Sequence, residues 1–475
     1  MLLDTADKDS MIFVNELENI CNKSEPEGTG FSRLQKEFLA FCITAMIVLG
    51  SLCWERMERA AFGKYGARAL GWMLHHSSIP WSRLWNASIL RMVNICGIKG
   101  ILVVDDTDRM RAKGTWNLFG IHKVKDKKTS GFSVAQNLVI LLFVTEKLTF
   151  PVGFSFFRPD PEWKTWREKD KELRLNKVKK SLRPKKPDRN PDYPMKTTLA
   201  VELITAFKKL VPTAEISAID ADAAYMTKPF VSGCEAEFPD AQIISQIRKD
   251  WLVASNNSKT KHLKRVDSYF AGRTAINTQV SLRGMPNKKI TMVSARLFVQ
   301  AQQRKLHIVA LKYDGETEYR YLAATKLSWR AFDIIRAYGI RWLVEVAIED
   351  WKVYSGWGKM AFQQGVDGAC RGVILSFVVD HFLSSHPLQL EQLKHGKPAW
   401  TAGSMQRFIQ ARAILTGVEN ILNAPNPKAM LRDLVDSITN VVSFRLSDKH
   451  MSGHMIGEFQ ATQSLISKYK SREAA

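Results

Sequence analysis

Two short strand-like runs, each followed at once by aspartates, constrain the fold of this chain most. Ile101–Val104 leads into Asp105, and Glu215–Ile219 leads into aspartates at positions 220 and 222. Apolar runs of this length are typical of buried strands. A helical pattern lies between them, so the chain alternates strand and helix as α/β proteins do. Polar residues at strand ends of such a sheet are where sites form.

A third feature is the segment Tyr338–Lys352, which has no proline and one early glycine, and which we predict to be a helix. At about 100° per residue, Arg341, Glu345 and Lys352 fall at roughly 300°, 340° and 320° from Tyr338, in one narrow stripe. The opposite side carries Leu343, Val344, Val346, Ala347 and Trp351. Such a helix can place a carboxylate among phosphate-binding groups. The alternative is a solvated face with i,i+4 charge pairs.

The composition indicates a large globular protein that binds a polyanion. With 475 residues, 45% of them hydrophobic, the chain is long enough for two or three domains. Its 69 Lys and Arg against 47 Asp and Glu leave a net charge of +22. This excess favours nucleic acid as the partner over an anionic membrane, because no basic amphipathic helix stands beside an anchor.

The cysteines and the apolar segments exclude other classes. The six cysteines are scattered, with no zinc-ligand spacing, so we expect free thiols and no zinc site. The N-terminus lacks a secretory signal. Residues 38–54 are uncharged, but about 17 residues is the bottom of the spanning range, so we interpret them as a buried helix, with a membrane span as the alternative.

The remaining patterns divide the chain. Residues 1–30 are expected to be loosely ordered, 31–96 to form a helical, DNA-binding domain, 97–385 a catalytic domain, and 386–475 a helical region for assembly. A basic loop begins at Gly120, and we expect its Lys123 and Lys125 to contact DNA. From Pro161 to Thr198, thirteen residues are Lys or Arg. This segment is interpreted as a solvated, partly disordered linker or as a basic arm that follows a phosphate backbone, and the two interpretations are compatible.

Carboxylates from two strand ends and one helix can hold two magnesium ions roughly 3.5–4 Å apart. One ion activates the attacking oxygen and the other stabilises the leaving oxygen. Magnesium needs only oxygen ligands, so no His or Cys is required. For any single strand-end aspartate, a turn or helix cap is the commoner role. All three together in a basic protein predict phosphodiester cleavage and transfer.

The motifs resemble those of bacterial insertion-sequence DDE transposases. Tyr338, Arg341, Glu345 and Lys352 match the Tyr-x2-Arg-x3-Glu-x6-Lys signature of one branch. Asp105-Asp-Thr107 resembles its first-aspartate motif, and Asp222-Ala-Ala-Tyr225 resembles its second. The resemblance covers roughly residues 95–385. It implies a ribonuclease-H-like core with a β-rich insertion at 226–320.

The resemblance also implies roles for these residues. Asp105, Asp222 and Glu345 would bind two Mg²⁺ ions, for which Mn²⁺ can substitute. Tyr338, Arg341 and Lys352 would contact DNA phosphates. In some relatives a tryptophan of the insertion stacks on a flipped base; Trp251 and Trp329 are the counterparts by position, with core packing as the alternative. The chain departs from some relatives at Ala223, where they carry a basic residue.

Several neighbouring acids compete with these assignments. Asp106 and Asp108 adjoin Asp105, and alternation along a strand would turn Asp106 to the other face. Asp220 would share a face with Asp222 if the strand continues. Glu349 falls at roughly 20° on the helical wheel, so helix geometry alone does not exclude it. Only the spacing of the motifs favours Asp222 and Glu345.

The leading hypothesis is therefore a cut-and-paste transposase in the bacterial cytoplasm, associated with the nucleoid when bound to DNA. It would bind double-stranded element ends and target DNA, and two ends imply a homodimer in the synaptic complex, with no membrane partner. One alternative is a domesticated or inactive transposase-derived DNA-binding protein. A nuclease of the same fold is another.

Overall fold

A mixed sheet forms the centre of the molecule. The structure, a computed structural model, describes residues 8–23, 30–61, 64–111, 118–125, 131–255, 263–282, 285–357 and 365–441. Its strands are β1 (Lys99–Arg111), β2 (Ile121–Lys125), β3 (Phe132–Val144), β4 (Thr149–Phe157), β5 (Glu215–Ala221), β6 (Gln242–Ile247), β7 (Leu252–Ala254), β8 (Lys264–Arg265), β9 (Ile276–Leu282), β10 (Met285–Val299), β11 (Arg304–Tyr313) and β12 (Arg320–Ala324).

Helices flank this sheet on both faces. They are α1 (Lys8–Lys23), α2 (Arg33–Leu49), α3 (Trp54–Ala60), α4 (Ala67–His76), α5 (Trp81–Cys96), α6 (Pro161–Leu175), α7 (Lys196–Leu210), α8 (Lys228–Glu237), α9 (Val266–Phe270), α10 (Ala331–Ile340), α11 (Trp342–Tyr354), α12 (Gly365–Ser384), α13 (Pro387–Lys394), α14 (Ala402–Leu422) and α15 (Pro427–Val441). The predicted α/β class is confirmed as a large mixed sheet with flanking helices.

The strands follow the order β2-β3-β1-β5-β6-β12-β11-β10-β7-β8, with β4 paired to β3 and β9 paired to β10. β3 is antiparallel to β1 and β4 is antiparallel to β3, whereas β5 is parallel to β1 and β6 is parallel to β5. β12 then pairs antiparallel with β6, and β11 and β10 continue outward. The strands of the predicted insertion therefore extend the central sheet.

The two faces of the sheet carry different helices. Gly153 on β4 lies against Leu203 of α7. The next residue, Phe154, packs against Trp85 of α5 and Phe377 of α12, with ring centroids 6.2 and 5.6 Å apart. Because successive strand residues point to opposite faces, α7 covers one face and α5 with α12 covers the other. We call these the α7 face and the α12 face.

The N-terminal helices belong to the same core as the sheet. Ser32 and Gln35 form a capping box at the start of α2, and Gly50 ends that helix in the left-handed conformation. The predicted buried helix is confirmed, since most of α2 is buried. Residues 8–23, expected to be loosely ordered, instead form α1, because the ring of its Phe13 packs 5.3 Å from that of Phe382 on α12.

Among the described residues, no single helix has the length and apolar character to cross a membrane. Only α2 and α3 taken together reach that composition, and they are bent by 90° at their junction. All six cysteines are free thiols, as predicted.

The strand expectations need two corrections. β1 does not end at Val104 but continues to Arg111, because the long strand β3 pairs with it from Ile101 onward, including Asp105 opposite Ile140. The segment expected to be a basic loop forms β2 at residues 121–125, paired with the start of β3. Both differences arise because β3 is long enough to hydrogen-bond to these polar segments and so hold them in the sheet.

The regions at either end of the predicted insertion also differ in detail. Residues 226–320 begin with α8 and with β6, which is parallel to β5, before the antiparallel strands start. The C-terminal region is helical as far as 441, as predicted, with a break before Pro427. Residues 442–475, also predicted to be helical, lie outside the described residues.

Candidate active site

The parallel pair β1 and β5 brings two predicted aspartates to neighbouring positions. The register ends with Val104 opposite Ala221, so Asp105 and Asp222 are the next residues on each chain. Asp222 precedes the 3₁₀ turn at 223–225, where the chain leaves the sheet, and its side chain makes no capping hydrogen bond to that turn. Asp106 contacts Lys196 at the start of α7, so alternation directs Asp105 to the α12 face. The charge of Asp222 is among those that raise the pKa of Asp105.

Arg341 joins Asp105 to Glu345. Its Nη1 lies 3.0 Å from Oδ2 of Asp105, and its Nη2 lies 2.9 Å from Oε1 of Glu345. The side chains of Arg341 and Asp105 are 20% and 16% exposed, whereas that of Glu345 is 58% exposed. One guanidinium therefore bridges a strand carboxylate and a helix carboxylate, and the Glu345 end of this bridge is open to solvent.

The segment predicted as one helix is two. α10 ends at Ile340 and α11 begins at Trp342. At the junction, Arg341 N–H donates to the Tyr338 carbonyl and Val344 N–H donates to the Arg341 carbonyl, both across three residues. This tight turn leaves Arg341 helical in its dihedrals but outside the regular helical hydrogen-bond pattern.

The turn divides the predicted polar stripe into two parts. The ring centroid of Tyr338 stays 5.7 Å from the Arg341 guanidinium, and Arg341 contacts Glu345 across four residues. Lys352 instead donates from Nζ to the backbone carbonyl of Asp108, at 3.0 Å. On the side predicted to be apolar, Val344 and Trp351 are buried, but Val346 is 36% exposed.

Burial dominates the electrostatics of the site. It raises the pKa of Asp105 to about 6; the Asp106 N–H bond and Arg341 lower that pKa, and the charges of Asp106 and Asp222 raise it. Burial likewise raises the pKa of Tyr338 to about 12. Because positive charge stabilises an ionised carboxylate, Arg341 favours the charged form of Asp105 at neutral pH.

Asp106 and Asp108 belong to a different network, on the α7 face. Lys196 Nζ lies 2.6 Å from Oδ2 of Asp106. Asn137 Nδ2 donates to both acids, at 3.0 Å for Asp106 and 2.7 Å for Asp108, and the Tyr225 hydroxyl lies 3.5 Å from Asp106. These contacts agree with the alternation that the sequence indicated.

Asp220 shares the face of Asp222 but is fully buried. Neither of its carboxylate oxygens has a hydrogen-bond partner in the described part of the chain. Burial raises its pKa to about 8, and the charge of Arg341 offsets this only in part. Asp220 is therefore a mostly protonated acid at pH 7. Glu349, the other rival, is exposed one turn beyond Glu345, and it is Glu345 that Arg341 contacts.

The predicted lysines of the basic loop lie away from these carboxylates. Lys123 and Lys125 are exposed on β2, opposite Val134 and Phe132 of β3. Val134 in turn pairs with Arg111 of β1, six residues beyond Asp105, which corresponds to about 20 Å along a strand. The structure therefore does not bring these lysines to the bridge.

The described residues contain no group of three or more His, Cys, Asp or Glu side chains arranged to hold a metal ion. The donor set around the bridge still fits Mg²⁺ in its chemistry, because carboxylate oxygens are the ligands that this ion uses. In this arrangement, oxygens of Asp105 and Glu345 are engaged by Arg341.

A pocket of about 380 Å³ adjoins the bridge and was not anticipated. Helix residues Tyr338, Arg341, Trp342 and Glu345 line one side, and the strands contribute Lys288, Tyr313 and Arg320 among others. Trp342 is 49% exposed, whereas Trp251 and Trp329, the predicted counterparts of a stacking tryptophan, pack against apolar clusters. At about 40° on the same helical wheel, Trp342 could have been found from the sequence.

No protein-family model matches this chain, and no curated protein matches it in sequence. One similar solved structure is a cryo-EM structure of the piggyBac transposase synaptic complex with hairpin DNA. The two chains are 12% identical, and the match covers 95% of this chain and 87% of that chain with a TM-score of 0.41.

Proposed function

We propose that this protein is a DDE transposase, which cleaves DNA at the ends of a mobile element and joins those ends to target DNA. The observation that carries the proposal is the Arg341 bridge, which links Asp105 on β1 to Glu345 on α11, with Asp222 next in register to Asp105. These are the acids that the motif spacing selected. Their geometry is independent of that spacing, because it comes from strand pairing and helix docking.

The strand order supports a ribonuclease-H-like core. Strands β4-β3-β1-β5-β6 form an antiparallel half followed by two parallel strands, with Asp105 on the central strand and Asp222 at the end of its parallel neighbour. This arrangement agrees with the ribonuclease-H-like core that the resemblance implies. The antiparallel strands from β7 onward stand where the β-rich insertion is expected.

Asp105, Asp222 and Glu345 are the residues proposed to hold Mg²⁺, with Mn²⁺ as a substitute. Bound there, two ions would supply an activated water or 3′-hydroxyl and stabilise the leaving oxygen. The guanidinium of Arg341 keeps Asp105 ionised and oriented. Since arginine binds phosphate in the same forked geometry as carboxylate, DNA phosphate and these carboxylates compete for it.

Tyr338 and Lys352 complete the proposed DNA contacts at the bridge. Lys123 and Lys125 on β2 are proposed as separate DNA contacts, about 20 Å away along the strands. Lys352 is held by the Asp108 carbonyl, so it reaches the end of β1 that lies beyond Asp105. Two element ends processed together imply a dimer in the synaptic complex. The net charge of +22 supports a DNA partner.

A catalytically inactive DNA-binding protein is the second candidate. The observation that favours it is that Arg341 engages an oxygen of both Asp105 and Glu345. Such a protein would bind the same DNA but would not cut it. The two candidates therefore separate on cleavage and not on binding.

The test is strand nicking by the purified full-length protein on a plasmid carrying the DNA that flanks its gene. With Mg²⁺ we expect nicks at fixed positions on both sides of the gene. Glu345→Gln should abolish nicking, by at least a hundredfold, while binding in EDTA is retained. Glu349→Gln removes the same charge one turn away and should nick as the wild type does.

Three outcomes decide between the candidates. Equal nicking by Glu345→Gln and the wild type would overturn the proposed site. Binding of the flanking DNA with no nicking by the wild type would establish the inactive DNA-binding protein. If the flanking DNA is neither bound nor cut, both candidates fail.

A further inference from the structure

We infer that a basic pocket beside α6 binds the phosphate backbone of DNA at a second place, away from the Arg341 bridge. The inference rests on the proposed function, since it adds a contact to the same DNA substrate. The pocket measures about 300 Å³. Its lining includes Phe157, Arg158, Trp163, Arg167, Arg189 and Lys196, and we call it the α6 pocket.

The segment that builds the α6 pocket is folded. Asp160 caps α6, accepting hydrogen bonds from the N–H groups of Glu162 and Trp163 at 3.0 and 3.1 Å. The chain then returns along the helix, where Trp163 Nε1 donates to the Pro187 carbonyl at 3.1 Å and Trp166 Nε1 donates to that of Pro184 at 3.0 Å. These contacts hold the returning chain against α6, so the segment is not the partly disordered linker that was one of the two expectations for it.

Ion pairs of Asp170 also hold the returning chain against α6. Asp170 is buried on α6 and receives Arg183 of the returning chain at 2.8 Å, together with Arg174 at 2.8 Å. The only buried acid within α6 is thus neutralised inside the segment. Its charge therefore does not offset the cations that face the pocket.

The charge of the α6 pocket is strongly positive. Among the described residues that line it, five are Lys or Arg and one, Asp160, is acidic. Lys196 is paired with Asp106, which leaves four cations to give the pocket its charge. Asp160 is buried, 6% exposed, and engaged in the helix cap. Lys164 and Arg167 are exposed on α6 and form no ion pair within the described chain.

Aromatic rings hold two of the arginines in place without neutralising them. The Arg189 guanidinium lies 3.3 Å from the ring centroid of Trp163. That of Arg158 lies 4.9 Å from the ring of Tyr193 and 5.0 Å from that of Phe119. A cation over an aromatic face keeps its full charge and loses rotamer freedom in advance, so binding an anion costs less entropy.

This arrangement fits a polyanionic backbone better than a single small anion. Lys164 and Arg167 stand one turn apart on α6, while Arg158 and Arg189 belong to the flanking chain, so positive groups surround the pocket from several sides. The surrounding segment, Pro161–Thr198, has thirteen Lys or Arg against six Asp or Glu. Phosphate contacts of this kind set the position of DNA and do not read its sequence.

The α6 pocket is connected to the candidate active site through one strand. Lys196, in the pocket lining, contacts Asp106, which adjoins Asp105 on β1. The side chains of Asp105 and Asp106 point to opposite faces of the sheet. DNA held at the α6 pocket therefore lies beside the same stretch of β1 that carries the proposed metal ligand, without sharing its side chains.

The test compares two charge-matched double variants of the full-length protein in their binding to a labelled random-sequence duplex, in EDTA. Lys164→Gln with Arg167→Gln removes two charges from the pocket. Lys169→Gln with Lys171→Gln removes two charges from the same helix outside it. We expect the pocket variant to bind severalfold more weakly and its salt slope, log K against log salt, to fall by about 1.8.

The control variant should keep a slope within about 0.5 of the wild type, since it loses no phosphate contact. Equal losses in both variants would overturn the pocket while leaving the proposed function in place. Failure of the wild type to bind any duplex would instead sink the proposed function. Binding of polyglutamate, measured for the same variants, tests for an acidic protein as the ligand. If the pocket variant loses polyglutamate binding but keeps duplex binding, the pocket binds an acidic protein and the inference is wrong.

Discussion

At the residue scale, Arg341 determines how the candidate site is assembled. From the sequence it was one of three DNA-contacting side chains on a helix stripe. In the structure it contacts two of the predicted metal ligands, Asp105 and Glu345, at 3.0 and 2.9 Å. The Arg341–Glu345 pair is an i,i+4 contact of the kind that the helical pattern allowed. No sequence pattern indicates the Arg341–Asp105 contact, because it joins residues 236 positions apart. It depends on how α11 docks against β1.

Asp220 is a second residue whose role the sequence pattern could not determine. Motif spacing alone favoured Asp222, and strand alternation could not separate the two acids. Tertiary structure separates them by burial, since Asp220 is fully enclosed and Asp222 is partly exposed. A buried carboxyl without hydrogen bonds is costly when ionised, and its pKa rises in consequence.

We predict that Asp220→Asn removes a pH dependence of stability. An unfolded aspartate titrates near 3.9 and Asp220 at about 8 in the fold, so the native state binds the extra proton between these values. The wild type should therefore lose stability as pH rises from about 4 to 8. The variant should lack this decline and be more stable at pH 9, by an amount on the order of a few kcal/mol.

Thermal unfolding across this pH range measures the effect. A wild-type midpoint that does not fall with pH relative to the variant would contradict the prediction. The nicking assay gives an independent readout, because Asp220→Asn should retain cleavage whereas Asp222→Asn should lose it.

At the element scale, the packing of α11 on α12 positions Glu345. The Trp351 ring stacks on the Phe377 ring, with centroids 4.3 Å apart, and on the Trp357 ring, with centroids 5.0 Å apart. All three rings are almost fully buried. The sequence did not indicate the turn at Arg341, because αR dihedrals continue through it.

We predict that Trp351→Ala destabilises the protein by about 3–5 kcal/mol, since it leaves a cavity between α11 and α12. Trp342→Ala, on the exposed side of the same helix, should change stability by less than about 1 kcal/mol. Urea unfolding followed by circular dichroism compares the two. Similar losses in both variants would show that α11 is not held by this stack.

At the scale of the whole molecule, the N-terminal helices and the sheet share one core. The sequence suggested a separate helical domain at 31–96, because helical patterns there precede the first strand. Its longest helix, α2, is buried on nearly all sides, and a helix of that kind needs partners all round. Some partners come from the C-terminal half: Gln406 and Gln410 of α14 donate to carbonyls in the last turn of α2.

We predict that residues 30–96 alone do not fold cooperatively. Removed from α1, α12 and α14, the fragment exposes the apolar surface that α2 buries against them. Its thermal scan by circular dichroism should show no sigmoidal transition, whereas the full-length protein should unfold cooperatively. A cooperative transition of the fragment would contradict this prediction and support an independent N-terminal domain.

The sequence by itself determined the elements that depend on local pattern and composition. Apolar runs identified α2 as a buried helix and β5 as a strand, and charge indicated a polyanionic partner. Motif spacing selected Asp105, Asp222 and Glu345 before any geometry was known. These properties are local, because each is set by residues close together in the chain.

Tertiary structure alone decided which side chains meet. It extended β1 through Asp105 by pairing it with β3, turned the helix at Arg341, and buried Asp220 while leaving Asp222 accessible. It also folded a basic segment into the α6 pocket. Each of these features depends on contacts between residues far apart in sequence. Such contacts contribute to the free energy of folding only when the chain has packed.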